Sequence, residues 1–276
     1  MTRETGSVRF LYNTALGRFL LKLLTRPFVS KIGGAFLDSC LSRFMVKRFI
    51  RKNGIDMSEY EDRKYKSFND FFTRRRIVRD FETNEDKLIS PCDGHLSVYE
   101  IGDNTVFDIK NAKYDMARLF NSSDVAERYR GGLCLIFRLT PLNYHRYSFP
   151  CSGALSGQER IKGKLHCVRP IAYTEFPVFC ENTREVVYIE NEHFGKVAQM
   201  EVGALLVGKI SNHTSDKAVQ GEEKGYFEFG GSTIILAFEK DKLKLSEEFL
   251  KTIGTAEEIP VRLGEEIGER VLAFVK

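Results

Sequence analysis

No stretch of this 276-residue chain approaches the roughly 18–20 consecutive apolar residues that a membrane-crossing helix needs. Arg3, Glu4 and Arg9 precede any apolar run, so a secretory signal peptide is not expected. Six cysteines are present, at positions 40, 92, 134, 151, 167 and 180, but none forms a Cys-x-x-Cys pair. Their spacing matches no zinc pattern, so no metal centre is expected and they read as reduced thiols of a cytosolic protein. Internal repeats and low-complexity stretches are lacking too. Only five histidines are available for acid–base chemistry, at 95, 145, 166, 193 and 213.

What is present is an ordinary globular composition, 42% hydrophobic, with an uneven charge. The length suits one large domain or one domain with an appendage. Residues 1–53 hold eleven lysines and arginines against Glu4 and Asp38, a net +9 that leaves −5 for the rest of a chain whose total is +4. A basic segment on a slightly acidic body points to an anionic partner for that segment.

From Val8 to Leu24, apolar Phe10, Leu11, Leu16, Leu20, Leu23 and Leu24 recur at helical spacing with Arg9, Arg18 and Lys22 between them. Pro27 is expected to end or kink that helix. A second amphipathic helix is expected over Ala35–Ile50, carrying Arg43, Lys47 and Arg48. Such helices either pack on the body with solvated basic faces or lie on an anionic membrane surface, cations at the headgroups and Leu/Phe in the acyl boundary. Nucleic acid fits less well, because these cations alternate with large aliphatics rather than with polar and stacking groups.

Residues 53–66 are polar and read as a connector; Ser67 is placed to cap a short helix of buried aromatics. Beyond Lys87, strand-like runs dominate: SVYEI, GLCLIFRLT, EVVYIE, KVAQMEVGALLVGKI and STIILAF, with a last strand expected near Val271–Val275. The fold class is α+β: a β-rich single catalytic body, residues 67–276, behind a basic amphipathic helical segment, residues 1–66.

Within KGYFEFGGSTIILAFEK a strand pattern breaks at Gly230-Gly231 and resumes at Ser232. Glycines in a strand mostly mark a bulge or tight hairpin. The other reading is a peptide bond meant to break. A hydroxyl on Ser232 can attack the preceding carbonyl, and Gly231 has no Cβ to obstruct it. Ser90-Pro91-Cys92-Asp93-Gly94 is a turn that presents Asp93, by default an Asx turn. Residues 139–150 leave a strand between two prolines in a loop dense in His, Arg, Tyr and Ser, with His145 in it. His166 falls on a separate strand-like segment.

Taken in order, SFNDFFTR, SPCDG, YHRY, ENTREVV, EVGALLVGKI and GYFEFGGST resemble the phosphatidylserine decarboxylase proenzymes of the bacterial group with a Gly-Gly-Ser-Thr cleavage site. The resemblance runs from about Val8 to about Lys240. It implies a lyase that makes phosphatidylethanolamine and CO2 from phosphatidylserine. It implies self-cleavage between Gly231 and Ser232 into a β chain, 1–231, and an α chain, 232–276. The α chain would begin with a pyruvoyl group made from Ser232, which takes the substrate amine as a Schiff base and serves as electron sink. Peripheral attachment at the cytoplasmic face of the cell membrane follows, and a homodimer is compatible. The alternative is a lipid-binding relative that does not process itself.

The family's self-processing triad is Asp-His-Ser. Asp93 matches its acid and Ser232 its nucleophile. The histidine usually assigned to it falls at Ser148, which cannot act as a base at neutral pH. His145 matches the first histidine of the motif and is expected to donate the proton that follows decarboxylation. Either His145 takes the role of the base as well, or His166, the candidate preferred here, fills the space at Ser148, within hydrogen-bond reach of Asp93 or Ser232.

Overall fold

The computed structural model describes residues 6–24, 27–77, 83–174, 176–204, 209–230, 232–255 and 257–272. At its centre lies the strand Ser232–Phe238, all seven residues buried. A continuous apolar run of this kind suits a strand covered on both faces. It pairs antiparallel with Leu133–Leu139 on one side and Gly195–Val202 on the other. The three belong to an eight-stranded sheet. Its spatial order is Lys217–Ala218, Gly153–Ile161, Arg184–Asn191, Gly195–Val202, Ser232–Phe238, Leu133–Leu139, Gly94–Glu100 and Ile259–Val261.

Strand alternation divides the central residues between two cores. Ile235 and Ala237 join Cys134, Ile136 and Met200. The hairpin of Val106–Ile109 with Ala112–Asp115 and the helices Met116–Phe120 and Ser123–Arg128 cover that side. Ile234, Leu236 and Phe238 join Leu135, Phe137 and Val197 on the other side. A second sheet, Ile210–Asn212, Glu223–Phe227 and Arg146–Ser148, packs there through Ile210, Phe227 and Tyr147. A third sheet contributes Lys87–Ile89, Glu266–Arg270 and Leu243–Leu245.

The helical front end is more broken than its periodicity suggests. In place of one helix over Val8–Leu24 there are two, Gly6–Asn13 and Ala15–Leu24. Thr14 makes the break, its Oγ1 donating to Phe10 O (2.9 Å) and accepting from Gly17 N (2.9 Å). Pro27 starts a helix, Pro27–Asp38, at the position where its missing N–H costs nothing. The expected helix over Ala35–Ile50 ends at Asp38 and resumes, after a 3-10 turn at Cys40–Arg43, as Phe44–Asn53. Buried Ser42 accounts for the interruption: its Oγ bonds Leu37 O and Ser39 O and accepts from Phe68 N, all at 2.8 Å.

Ser67 caps the helix Phe68–Phe72 as expected, accepting from Asp70 N at 3.1 Å. Phe68, Phe71 and Phe72 form a third core with Leu37 and Val46. Burying each of these side chains stabilises the junction by about 1.5–3 kcal/mol. The last described strand is Glu266–Arg270; the strand expected near Val271–Val275 falls mostly on residues 273–275, which lie outside the described residues. Among the described residues no helix is long and apolar enough to cross a membrane.

Candidate active site

Ser232 opens the central strand, opposite Leu139, and is 1% exposed. Its Oγ is buried without a hydrogen-bond partner. Gly231 lies outside the described residues. The residues before it are fixed one at a time. Phe227 N donates to His145 O (2.9 Å), Glu228 N to Lys209 O (3.1 Å) and Phe229 N to Asn69 Oδ1 (2.9 Å). The Phe229 ring stands edge-on to Phe68 and Phe72, with centroids 5.0 and 4.9 Å away. Gly230 follows with φ of 148°, a conformation that only glycine adopts readily. The chain is therefore held by hydrogen bonds and ring contacts up to Gly230, which takes a glycine-only dihedral.

His145 is brought to this segment. It is fully buried, its ring 4.0 Å from that of Phe72, and the carbonyl of Gly230 faces it. Nδ1–H donates to Asn143 O (2.9 Å), a carbonyl that can only accept, so the lone pair sits on Nε2. Nε2 has no partner. Burial pushes the imidazole down to about 3, and the ring is neutral in the uncut chain. The proton donor expected from the sequence therefore carries no proton on Nε2 in the uncut chain.

Asp93 is held elsewhere. Arg76 grips it with two hydrogen bonds, Nη1 to Oδ1 (3.1 Å) and Nη2 to Oδ2 (2.6 Å), and Leu263 N donates to Oδ1 (2.9 Å). Burial disfavours the guanidinium charge, yet these bonds to Asp93 hold Arg76 above its ordinary value. Gly94, next to Asp93, begins a strand separated from the Ser232 strand by Leu133–Leu139. Two strand spacings put the backbones at Asp93 and Ser232 about 10 Å apart.

The other histidines do not reach this place. His166 N donates to Asn182 Oδ1 (2.8 Å), and its Nε2 lies 3.5 Å from Glu181 Oε2. The expected hydrogen bond to Asp93 or Ser232 is not made, because pairing with Asn182 ties this segment to its neighbour on the far side of the sheet. His95 is opposite Arg138, which is opposite Thr233, so it shares their face and not that of Ser232. His193 faces Asp86 and Arg270, and His213 bonds Glu223.

A cavity of about 540 Å³ is lined by Arg76 and Leu263, the two residues that hold Asp93. Arg75, Arg76, Arg146 and Arg262 line it together with Glu59, Glu61, Glu222 and Glu223. Arg76 and Arg146 are engaged with acids; the guanidiniums of Arg75 and Arg262 have no ion pair to a described residue. Tyr144 and Ser148 complete the inner wall.

The family model for phosphatidylserine decarboxylase matches residues 68–269. The phosphatidylserine decarboxylase proenzyme 2 of Clostridium acetobutylicum is 46% identical over 270 residues, covering 96% of this chain and 92% of that one. The chain belongs to the phosphatidylserine decarboxylase family. Proenzymes of that name from Clostridium tetani, 39% identical over 271 residues, and Clostridium botulinum, 38% over 272, span 95% of this chain and over nine-tenths of their own.

Two site residues escaped sequence reasoning although both lie in or beside SFNDFFTR. Asn69 bridges the front end and the cleavage segment, its Nδ2 donating to Asp38 Oδ1 (2.7 Å) while Oδ1 accepts from Phe229 N. Arg76 takes Asp93, and no local pattern announces a pairing across that distance in sequence.

Proposed function

We propose that this decarboxylase of phosphatidylserine is made as a proenzyme that cuts itself between Gly231 and Ser232. The observation that best supports this is the buried, unpartnered Ser232 Oγ, two positions after the glycine-only dihedral of Gly230. A hydroxyl kept from water and from partners is costly to hold unless chemistry uses it. Cleavage gives a β chain, 1–231, and an α chain, 232–276, that stay together because the central strand begins at Ser232. The residues around Ser232 fit a pyruvoyl group there, which would supply the electron sink for the pair left when CO2 departs.

The chain's own residues hold and move the proton. Phosphatidylserine arrives as an ammonium and must lose a proton to react. In the processed enzyme His145, beside Gly230, is placed to give a proton to the α-carbon after decarboxylation. Arg76, which holds Asp93, lines the cavity, whose four arginines and four glutamates suit a headgroup carrying phosphate, carboxylate and amine. The acyl chains remain at a membrane. Leu16, Phe19, Ile32, Phe36, Leu41 and Phe44 are exposed on the front helices, with Arg43, Lys47, Arg48, Arg51 and Lys52 exposed nearby. That mixture suits peripheral docking on an anionic bilayer at the cytoplasmic face.

Intact mass of the purified chain tests the reading. The wild type should yield chains 1–231 and 232–276, and Ser232→Ala should remain one inactive chain. Cleavage of the alanine variant at the same bond would rule out serine chemistry.

A further inference from the structure

The Ser148 position leaves self-cleavage without its usual base, and His166 does not replace it. The face of the sheet that carries Ser232 contains another candidate. In an antiparallel sheet, residues directly opposite share a face, as do residues two apart on one strand. Ile234 is opposite Glu201 and two residues from Ser232. Ser232 and Glu201 are therefore diagonal neighbours on one face, a separation that long side chains can cross. The sheet containing Arg146–Ser148 and Glu223–Phe227 closes over that face.

Glu201 is fully buried. Its two oxygens are used differently. Oε2 accepts from Lys224 Nζ (2.5 Å) and from Asn212 Nδ2 (3.2 Å). Oε1 is buried with no partner. Gln199, on the same face and opposite Leu236, donates from Nε2 to Ser148 O (3.1 Å), which places Ser148 beside this carboxylate. Four buried polar atoms here lack partners: Ser148 Oγ, Gln199 Oε1, Glu201 Oε1 and Ser232 Oγ. Native interiors avoid such groups singly, and a cluster of them marks a place where chemistry outweighs stability.

We propose that Glu201, with one oxygen held by Lys224 and Asn212 and the other free, is the general base for self-cleavage at Ser232. The proposal rests on the reading that Ser232 is the cleavage nucleophile. Glu201 Oε1 takes the proton from Ser232 Oγ as Oγ bonds to the carbonyl carbon of Gly231. The carbon–nitrogen bond between Gly231 and Ser232 then breaks, and the same proton passes from Glu201 to the departing nitrogen. An ester and a free amine result, with no net change of protons; elimination then removes the Ser232 α-proton and breaks its Cβ–Oγ bond, which parts the chains with Gly231 ending in a carboxylate. Burial raises the Glu201 carboxyl towards the range in which a base is effective, although Lys224 and Asn212 oppose it. The much lower value of His145 makes that ring the weaker base.

Chain cleavage, followed by gel and intact mass at fixed times after purification, is the test. Glu201→Asp keeps the charge pair and the fold but withdraws the carboxylate by one methylene; cleavage should slow at least tenfold. Glu201→Gln/Lys224→Met removes both buried charges with near-isosteres, a change that cores tolerate; this protein should keep wild-type far-ultraviolet circular dichroism and stay uncut. Adding Ser148→His to it should restore cleavage, because an imidazole then occupies the usual position. Wild-type cleavage rates in Glu201→Asp overturn the proposal, as they do in folded Glu201→Gln/Lys224→Met. Wild-type rates in Glu201→Gln alone overturn it too, by moving the base to Lys224. If the wild type is never cut, it is the Ser232 reading that fails.

Discussion

Phe229 N donates to Asn69 Oδ1 across 2.9 Å, and the same amide group donates from Nδ2 to Asp38 Oδ1. One side chain thus joins a front-end helix to the residue that precedes Gly230. Asn69→Ala leaves the half-buried Phe229 N–H without this partner, at a cost of about 1 kcal/mol. The variant should fold, melt at lower temperature and cleave several-fold more slowly. Asn69→Leu, similar in volume and equally unable to bond, should behave alike. Unchanged processing in both would mean that the cleavage segment is positioned without this bond.

The histidine arrangement gives a second prediction. His166 pairs through its backbone with Asn182 and lies near Glu181, so His166→Ala should cleave like the wild type. His145→Ala should also cleave, yet turn over at least a hundredfold more slowly, because nothing else near Gly230 holds a neutral imidazole. Gel analysis and a phosphatidylserine turnover assay separate the two steps. Loss of processing in His166→Ala would return that residue to the site.

How much of this was legible in the sequence depends on the range of the interaction. The Ser67 cap, the buried Phe68–Phe72 aromatics and the strand Ser232–Phe238 follow from periodicity and capping, which act over a few residues. Asp93, His145 and Ser232 were found through their motifs, and the fold brings His145 to the cleavage segment. The break at Ser42 was invisible because its cause is Phe68, 26 positions away. The same holds for Arg76 with Asp93 and for Glu201 with Lys224, pairings set by sheet order and not by spacing. Ser148 announced a missing base, but only register showed which carboxylate shares the face of Ser232.

Membrane docking can be tested without dismantling the protein. Deleting residues 1–50 would remove Leu37 and Val46 from the third core, together with Asp38, so it would confuse docking with folding. Phe19→Glu/Phe36→Glu alters two exposed side chains instead. Binding to vesicles rich in anionic lipid should fall at least tenfold, while self-cleavage stays intact. Raising salt from about 0.1 M to 1 M should weaken the wild type, since screening shortens to about 3 Å. Vesicle binding that ignores both changes would make the front helices a packing element only.

Acid sensitivity supplies the last prediction. Burial holds His145 near 3, against about 6.5 for an unfolded histidine. The folded state therefore refuses a proton that the unfolded state accepts between those values. Stability rises with pH across that window and is lost as pH falls, by at most about 1.4 kcal/mol per unit for one proton. His95 and His166, also lowered by burial, add to the slope with the same sign. Carboxylates lowered by partners, such as Glu258 beside Arg138 and Tyr173, act only below the unfolded value of about 4.3. Urea unfolding of the uncut Ser232→Ala protein should thus show stability declining from about pH 6.5 downward. Adding His145→Gln should reduce that decline by up to one proton's worth between pH 6 and 5, since the carboxyl of Glu201, raised by burial, is common to both proteins. Equal slopes in the two proteins would mean that His145 takes up its proton in the folded chain and is not held neutral there.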